Sequence, residues 1–441
     1  MRSTIEIFLD GQWVPAAEFS PMGKAPCGAT FEYRIDYVFG PNPVPVSLAY
    51  PVMADRLGVD GDGVPPPCPA FLLDLVPQGR GRKYLARELN VADNDSNDLF
   101  LAQHGAFNPI GNLRLDTAFN YYRQHVAKAD REVPGFTLKD ILSKQDEFLD
   151  HIWIHSMLTA GTTGVQGAAP KFLLAQDADD LWYADTALRD ELAAKHWLVK
   201  LPRGSDNTDY AVLRNEAAYL RVAEQCGLRG FQTWREPEFH QNMLFLPRFD
   251  RIVQPTGLQR LHQESLASVA GLRGFGLPAS LFDLTEAIRR HVTHPVAEAI
   301  EFIKRDILNL AMRNTDNHAR NTAIQRLPDG TVQLTPVFDF APMYLDREFI
   351  VRGCKWKNNE GREIADWNEI IATLGFEDQE RQLIANAVKK FQPVVESLLE
   401  IMKTCGVDNE ITEECKRNID NEVTRLEKLK GTRHGSTPKA F

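Results

Sequence analysis

The chain has 441 residues, of which 25% are charged and 43% hydrophobic, and carries a formal net charge of −10. That length exceeds one ordinary core and predicts two domains, with room for a further division into lobes. The negative balance argues against a stand-alone nucleic-acid binder that works by neutralising phosphates, though not against DNA binding through a basic partner. No apolar run approaches the ~20 residues of a membrane span. The N-terminus, MRSTIEIFLDGQWV, lacks a basic head followed by an apolar core, so a cytoplasmic protein is the expectation. Six cysteines (Cys27, Cys68, Cys226, Cys354, Cys405, Cys415) are scattered without a CxxC pair, which fits reduced thiols better than a disulfide framework or a zinc site.

In chain order, Thr4 to Leu9 and Gln12 to Val14 flank Asp10-Gly11, a two-residue hairpin signal. Phe31 to Val38 alternates large apolar with polar residues and predicts a half-buried strand. A Pro- and Gly-rich loop, 58–69, follows, and a helix from Leu138 to Leu158 entered at Thr137 connects to the rest. His196-Trp197-Leu198-Val199-Lys200 reads as a strand ending in lysine. Asn215-Glu216 opens a helix that runs to Glu224 and stops at Gly227. Val296, Ile300, Ile303, Ile307 and Leu310 recur at helical spacing behind Pro295. Ile411, Cys415, Ile419, Val423 and Leu426 define a last helix closed by Gly431. These boundaries divide the chain into a small N-terminal domain over 1–130, a larger region over 131–434 and a frayed tail over 435–441.

The chemistry-bearing pattern is Thr315-Asp316-Asn317-His318-Ala319-Arg320-Asn321, followed by Pro336-Val337-Phe338-Asp339. Between them, Thr322 to Arg326 and Thr331 to Thr335 look like strands joined by Leu327-Pro328-Asp329-Gly330. Such a hairpin brings its outer ends together, so Asp316, Asn321 and Asp339 converge. Phosphoryl transfer needs oxygen ligands for Mg²⁺ and a separate carboxylate for the attacking hydroxyl. Protein kinases space the base Asp and the metal-binding Asn as D-x-x-x-x-N, the spacing of Asp316 and Asn321. Asn and Asp also favour turns, so this spacing alone fits turn and cap residues equally well. Upstream, Lys200 is placed to hold phosphates if Glu216 fixes it; singly, each would read as an ordinary surface residue. The loop Gly161-Thr162-Thr163-Gly164-Val165-Gln166-Gly167-Ala168-Ala169-Pro170-Lys171 is rich in small residues that let backbone N–H groups approach phosphate, although no GxxxxGK[ST] occurs. The order of glycine loop, Lys200, Glu216, Asp316, Asn321 and Asp339 is the kinase order of roles. His151 with His155, Asp60 to Gly63, His291 with His294, and Gly271, Gly274 and Gly276 lack the partners a metal or dinucleotide site needs.

Together these motifs resemble the HipA family. The matching segments are Gly164-Val165-Gln166 with Pro170-Lys171, Leu198 to Pro202, Asn215-Glu216, Arg248-Phe249-Asp250-Arg251 and His262-Gln263-Glu264. Thr315 to Asn321, Phe338-Asp339, Leu73 to Gly79 and Gly111-Asn112-Leu113 complete the set. The resemblance implies an α+β, bilobal protein-kinase-like fold with a small β-rich N-terminal subdomain and a mostly helical C-terminal lobe. It implies an ATP- and Mg²⁺-dependent protein Ser/Thr kinase acting as a toxin, with aminoacyl-tRNA synthetases among the family's targets. It also implies a small helix-turn-helix antitoxin, HipB-like, through which DNA is bound only indirectly. Carried over by position, Asp316 is the catalytic base, and Asn321 and Asp339 are metal ligands. ATP contacts fall to Gly164, Val165, Gln166, Gly167, Lys171, Lys200, Glu216, Pro247, Arg248, Phe249, His318, Arg320 and Phe338. Two departures stand out. Gly167-Ala168-Ala169 intervene between the loop's two elements, and its usual regulatory serine is missing, leaving Thr163 and Thr162 as candidates for autophosphorylation. A small-molecule phosphotransferase on the same scaffold and a non-catalytic partner of an antitoxin are the competing functions.

Overall fold

The computed structural model describes residues 1–22, 28–55, 67–127, 135–144, 152, 171–231 and 236–430. Asp10 and Gly11 both have positive φ, 48° and 80°, the backbone that a two-residue hairpin turn requires. They join β1 (Ser3–Leu9) to β2 (Gln12–Met22), with Leu9 opposite Gln12. β2 continues past Val14 because Ala16, Ala17 and Phe19 are buried and the strand pairs onward with β3 (Gly28–Tyr33). β4 (Leu113–Leu115) takes the other edge, giving an antiparallel sheet of order β3-β2-β1-β4. Its core is built on Ile5, Ile7, Phe19, Phe31, Leu72 and Leu115.

The strand expected over Phe31 to Val38 stops at Tyr33, and Ile35–Val38 form one helical turn. Turning the chain there puts Tyr33 and Tyr37 on the same side. Their rings stack with centroids 6.3 Å apart, and the Tyr37 hydroxyl donates to the Val44 carbonyl at 2.7 Å. Burial of a second tyrosine replaces the continued strand. The helix entered at Thr137 is also shorter than expected. Thr137 and Asp140 cap it reciprocally, but it ends at Ser143, where Lys144 is left-handed (φ 52°). Apart from Ile152, its expected continuation to Leu158 lies outside the described residues.

A second, five-stranded sheet follows: β5 (Lys171–Gln176), β6 (Trp182–Ala184), β7 (Lys195–Lys200), β8 (Glu238–His240) and β9 (Met243–Pro247). Its order is β6-β5-β7-β9-β8, antiparallel throughout. Between β7 and β8 runs α1 (Asn207–Gln225). It starts well before Asn215 because the Asp206 carboxylate accepts from the Asp209 N–H and caps it. Glu216 therefore sits in mid-helix, on the buried face. A short hairpin, β10 (Arg251–Gln254) and β11 (Gly257–Arg260), precedes a three-stranded sheet. That sheet is β12 (His262–Ser265), β13 (Ala323–Arg326) and β14 (Val332–Leu334), in that order. The β13–β14 hairpin is the expected one, and Gly330 at φ 85° makes its turn.

The helical lobe is led by α2 (Leu281–His291), α3 (Pro295–Ala311), α4 (Asp378–Lys390) and α5 (Asn409–Glu427). Pro295 occupies the first turn of α3, where its missing N–H costs nothing. α5 ends at a Lys428 cap; Gly431 and the tail lie outside the described residues. Among the described residues, no helix is long and apolar enough to cross a membrane. Trp367 is fully buried in this lobe; its ring packs near Trp356, and its indole N–H donates to Glu422 at 3.3 Å. Trp367→Ala should lower unfolding stability by about 3–5 kcal/mol. Urea titration followed by circular dichroism measures this, and a loss below about 1 kcal/mol would show that the cavity collapses.

Candidate functional site

β7 delivers Lys200 to the seam between the five-stranded sheet and the helical lobe. There the Lys200 ammonium bonds the Glu216 carboxylate from α1 and the Asp339 carboxylate from beyond β14. β5 starts directly opposite, with Lys171 paired to Lys200 in register and its Nζ 3.6 Å from Asp339 Oδ2. Two ammoniums and two carboxylates thus share one buried cluster. Burial raises the Glu216 carboxyl, with Lys200 opposing. Burial alone would also raise Asp339, but Lys171 and Lys200 overcome it and hold the carboxyl down to about 2. Burial disfavours the Lys200 ammonium, yet Asp339 and Glu216 outweigh that and raise its pKa. Burial lowers Lys171, only partly offset by Asp339.

The β13–β14 hairpin brings the catalytic-loop candidates to the same place. Asp316, His318, Asn321, Phe338 and Asp339 line one cavity of about 620 Å³. Asp316 and Asp339 also line an adjoining cavity of about 690 Å³ with Lys171, Lys200 and Glu216. The loop is tied internally, as Asn321 Nδ2 donates to the Asp316 carbonyl at 2.7 Å and its N–H to the His318 carbonyl at 2.9 Å. Asn317 clamps it to Cys354 through its side-chain amide. The Arg320 N–H donates to His318 Nδ1 at 3.2 Å, which leaves the ring proton on Nε2, 3.5 Å from Asp316 Oδ1. Burial raises the Asp316 carboxyl, with His318 drawing it back, and burial lowers the His318 imidazole. Among the described residues, Asn321 Oδ1 is buried without a hydrogen-bond partner, and Asp339 stands in the left-handed region at φ 49°.

A third cavity, about 490 Å³, continues from Lys171 and Asp339 along the sheet. Leu246, Pro247, Phe249 and Phe338 line it as an apolar slot, with the Phe249 and Phe338 rings 6.1 Å apart. Two other candidates are used differently. The Arg248 guanidinium turns inward to Asp185 (2.8 Å) and bonds Asp250 with two nitrogens (2.9 and 2.7 Å), so its charge is answered by protein carboxylates. The Arg320 guanidinium points to Asp74 of the N-terminal subdomain. Gly164, Val165, Gln166, Gly167, Thr162 and Thr163 lie outside the described residues.

Sequence reasoning left out Ile110 and Phe231 and gave Gln263 no ligand role beyond its matched motif; all three also line the apolar slot. Ile110 precedes Gly111, whose N–H donates to Asp250 Oδ2 at 2.8 Å and whose carbonyl accepts from Arg251 at 2.8 Å. Gly111-Asn112-Leu113 is one of the matched motifs, but nothing in its residue types says that it docks against a distant pocket.

An antiparallel sheet carrying a paired lysine, above a helical lobe carrying the aspartate loop, defines a bilobal, kinase-like α+β protein with an added N-terminal subdomain. The family model described as HipA-like C-terminal domain matches residues 163–395, and that described as HipA N-terminal domain matches residues 6–116. The chain belongs to the HipA family. A solved structure, described as the Shewanella oneidensis MR-1 toxin–antitoxin system HipA, HipB and its operator DNA complex, is similar in fold. It is 17% identical and matches with a TM-score of 0.62 over 97% of this chain and 97% of that chain. No curated protein matches the sequence.

Because the Asp339 carboxyl is depressed in the folded state, its contribution to stability is present above the unfolded value near 4 and is lost as pH falls toward about 2. Urea midpoints of wild type and Asp339→Asn should therefore converge as pH drops through that window. A gap that stays constant would remove the lysine cluster as its cause.

Proposed function

We propose that this chain is an ATP- and Mg²⁺-dependent protein Ser/Thr kinase and the toxin of a toxin–antitoxin pair. The observation that carries this reading is the meeting of Lys200, Glu216 and Asp339 in a cleft that Asp316 also lines. A kinase needs a lysine fixed by a helix carboxylate, a metal aspartate beyond a hairpin, and a base close to both.

The donor set suits magnesium. Among the described residues Asn321 Oδ1 is a buried oxygen without a partner, and Asp339 offers hard carboxylate oxygens. Asn321 and Asp339 would hold the ion, which when bound supplies neutralising charge to the phosphate oxygens. Asp339 would exchange an ammonium contact for the cation. Lys200, fixed by Glu216, and Lys171 bind phosphate oxygens. The slot of Leu246, Pro247, Phe249 and Phe338 takes the adenine. Asp316 accepts the proton of the incoming hydroxyl, with His318 Nε2 3.5 Å from its carboxylate. The acceptor is a Ser or Thr of a protein, with aminoacyl-tRNA synthetases the first class to test. A helix-turn-helix antitoxin is the partner, and DNA is reached through it. This follows the HipA–HipB–operator composition of the structural relative and the net charge of −10. Autophosphorylation at Thr163 or Thr162 belongs to the same reading.

Incubation with Mg-ATP and mapping of phosphate by mass spectrometry tests the reading. Asp316→Asn should lower transfer roughly 10²- to 10⁴-fold, the range of a lost general base. Asp339→Ala should abolish magnesium-dependent nucleotide binding. Clear ATP binding by wild type without transfer to any protein would instead favour a small-molecule acceptor or a non-catalytic partner. Separately, Ile110→Glu should weaken nucleotide binding at least about tenfold by putting a charge into the apolar slot. Unchanged affinity by calorimetry would take the N-terminal subdomain out of the nucleotide site.

A further inference from the structure

Arg320 lies within the catalytic loop, between His318 and Asn321, and its guanidinium leaves the cleft altogether. It bonds Asp74, lies 3.5 Å from Ser265 Oγ, donates to the Gly274 carbonyl at 3.4 Å and stacks over Phe275 at 4.7 Å. Asp74 belongs to the N-terminal subdomain, in the short helix Ala70–Leu75. It also accepts from the Ser265 N–H and Ser265 Oγ, both at 2.8 Å, at the end of β12. Both charged side chains are almost fully buried, 7% exposed for Asp74 and 5% for Arg320. A buried pair of this kind is a poor source of stability compared with an apolar contact, but breaking it leaves an uncompensated charge, so its geometry is strongly enforced.

The geometry points to Asp74 as a positioning residue of the N-terminal subdomain that sets the catalytic loop through Arg320; this inference rests on the kinase reading of Asp316. The chain of contacts is short. Asp74 fixes the Arg320 side chain, and the Arg320 N–H fixes the His318 ring. His318 faces Asp316, and Asn321, the next residue, returns to the Asp316 carbonyl. Displacing Arg320 therefore moves the base and the metal amide together. Phosphate-binding Lys171 and Lys200 sit on the other lobe and are left alone.

The experiment uses the full-length chain. Asp74→Asn keeps the side-chain shape and removes the charge; Arg320→Lys keeps the charge and removes the planar fork. Ser47→Ala is the control, because Ser47 Oγ donates to Glu264 at 2.8 Å across the same boundary without touching the loop. Asp74→Asn should lower kcat roughly 10- to 100-fold, the loss that follows a misplacement of about an ångström. KM for ATP should stay within about twofold, Arg320→Lys should fall between, and the double variant should lose no more than the worse single one. Amide hydrogen exchange over 314–322 should accelerate in Asp74→Asn and not in Ser47→Ala. Wild-type exchange in Asp74→Asn, additive losses in the double variant, or an equal kcat loss in Ser47→Ala would overturn the assignment. Absence of phosphotransfer in wild type would sink the kinase reading instead, while the exchange measurement would still decide whether Asp74 holds the loop.

Discussion

Lys200 is buried, and removing an ammonium from water costs several kcal/mol unless its charge is answered. The answer comes from two places far apart in sequence. Glu216 lies in the middle of α1, and Asp339 lies past the β13–β14 hairpin. Neither carboxylate reaches Lys200 unless α1 is packed on the sheet and the helical lobe is closed beneath it. The cluster therefore exists only in the assembled cleft, which links folding of this region to the geometry of the site. Mid-helix placement matters for Glu216, since α1 packs through Leu213, Ala217, Leu220 and Val222 and presents the carboxylate from a rigid, buried face.

The N-terminal subdomain is tied into this arrangement by polar contacts at both ends of the cleft. At the sheet end, Asp185 and Asp250 share Arg248, His196 Nδ1 lies 2.6 Å from Asp185, and Asn108 donates to Asp185 at 2.6 Å. Burial alone would raise Asp250, but Arg248 and Arg251 together pull its carboxyl far down. At the loop end, Asp74 meets Arg320, and Glu264 accepts from Ser47 Oγ and the Leu48 N–H. A subdomain fastened by several desolvated charges has a fixed orientation, because sliding any of them out of register strands a charge in a low-dielectric interior.

Much of this was legible from residue order. The Asp10-Gly11 hairpin, the Lys200 strand, α3 behind Pro295 and the β13–β14 hairpin follow from local rules of turn chemistry and periodicity. The convergence of Asp316, Asn321 and Asp339 follows from the hairpin between them. Local rules failed where tertiary contacts decided the outcome. Ile35–Val38 turned helical to bury Tyr37, and α1 begins at Asn207 because the Asp206 cap outranked the family-like Asn215-Glu216. Arg248 and Arg320 sit in motifs that suggest ligand contact. A sequence position does not reveal which way a long side chain turns, however, and here each guanidinium found a buried carboxylate. Ile110 was invisible for a related reason, since an isoleucine before a glycine carries no sign of the pocket it will border.

The charge balance of the cluster also bears on what can enter the cleft. Lys171 and Lys200 are matched by Glu216 and Asp339, so the buried set is close to neutral as it stands. A polyphosphate entering alone would bring several negative charges toward Asp316 and Asp339, and at low effective dielectric that repulsion is steep. On the kinase reading, the two lysines could not serve phosphates fully while they also neutralise Asp339. Asp339 and the Asn321 oxygen, unpartnered among the described residues, would hold a divalent cation, whose charge would leave ammonium hydrogen-bonding capacity for the phosphates. On the kinase reading, nucleotide and magnesium are therefore coupled ligands, each favouring the other through Asp339.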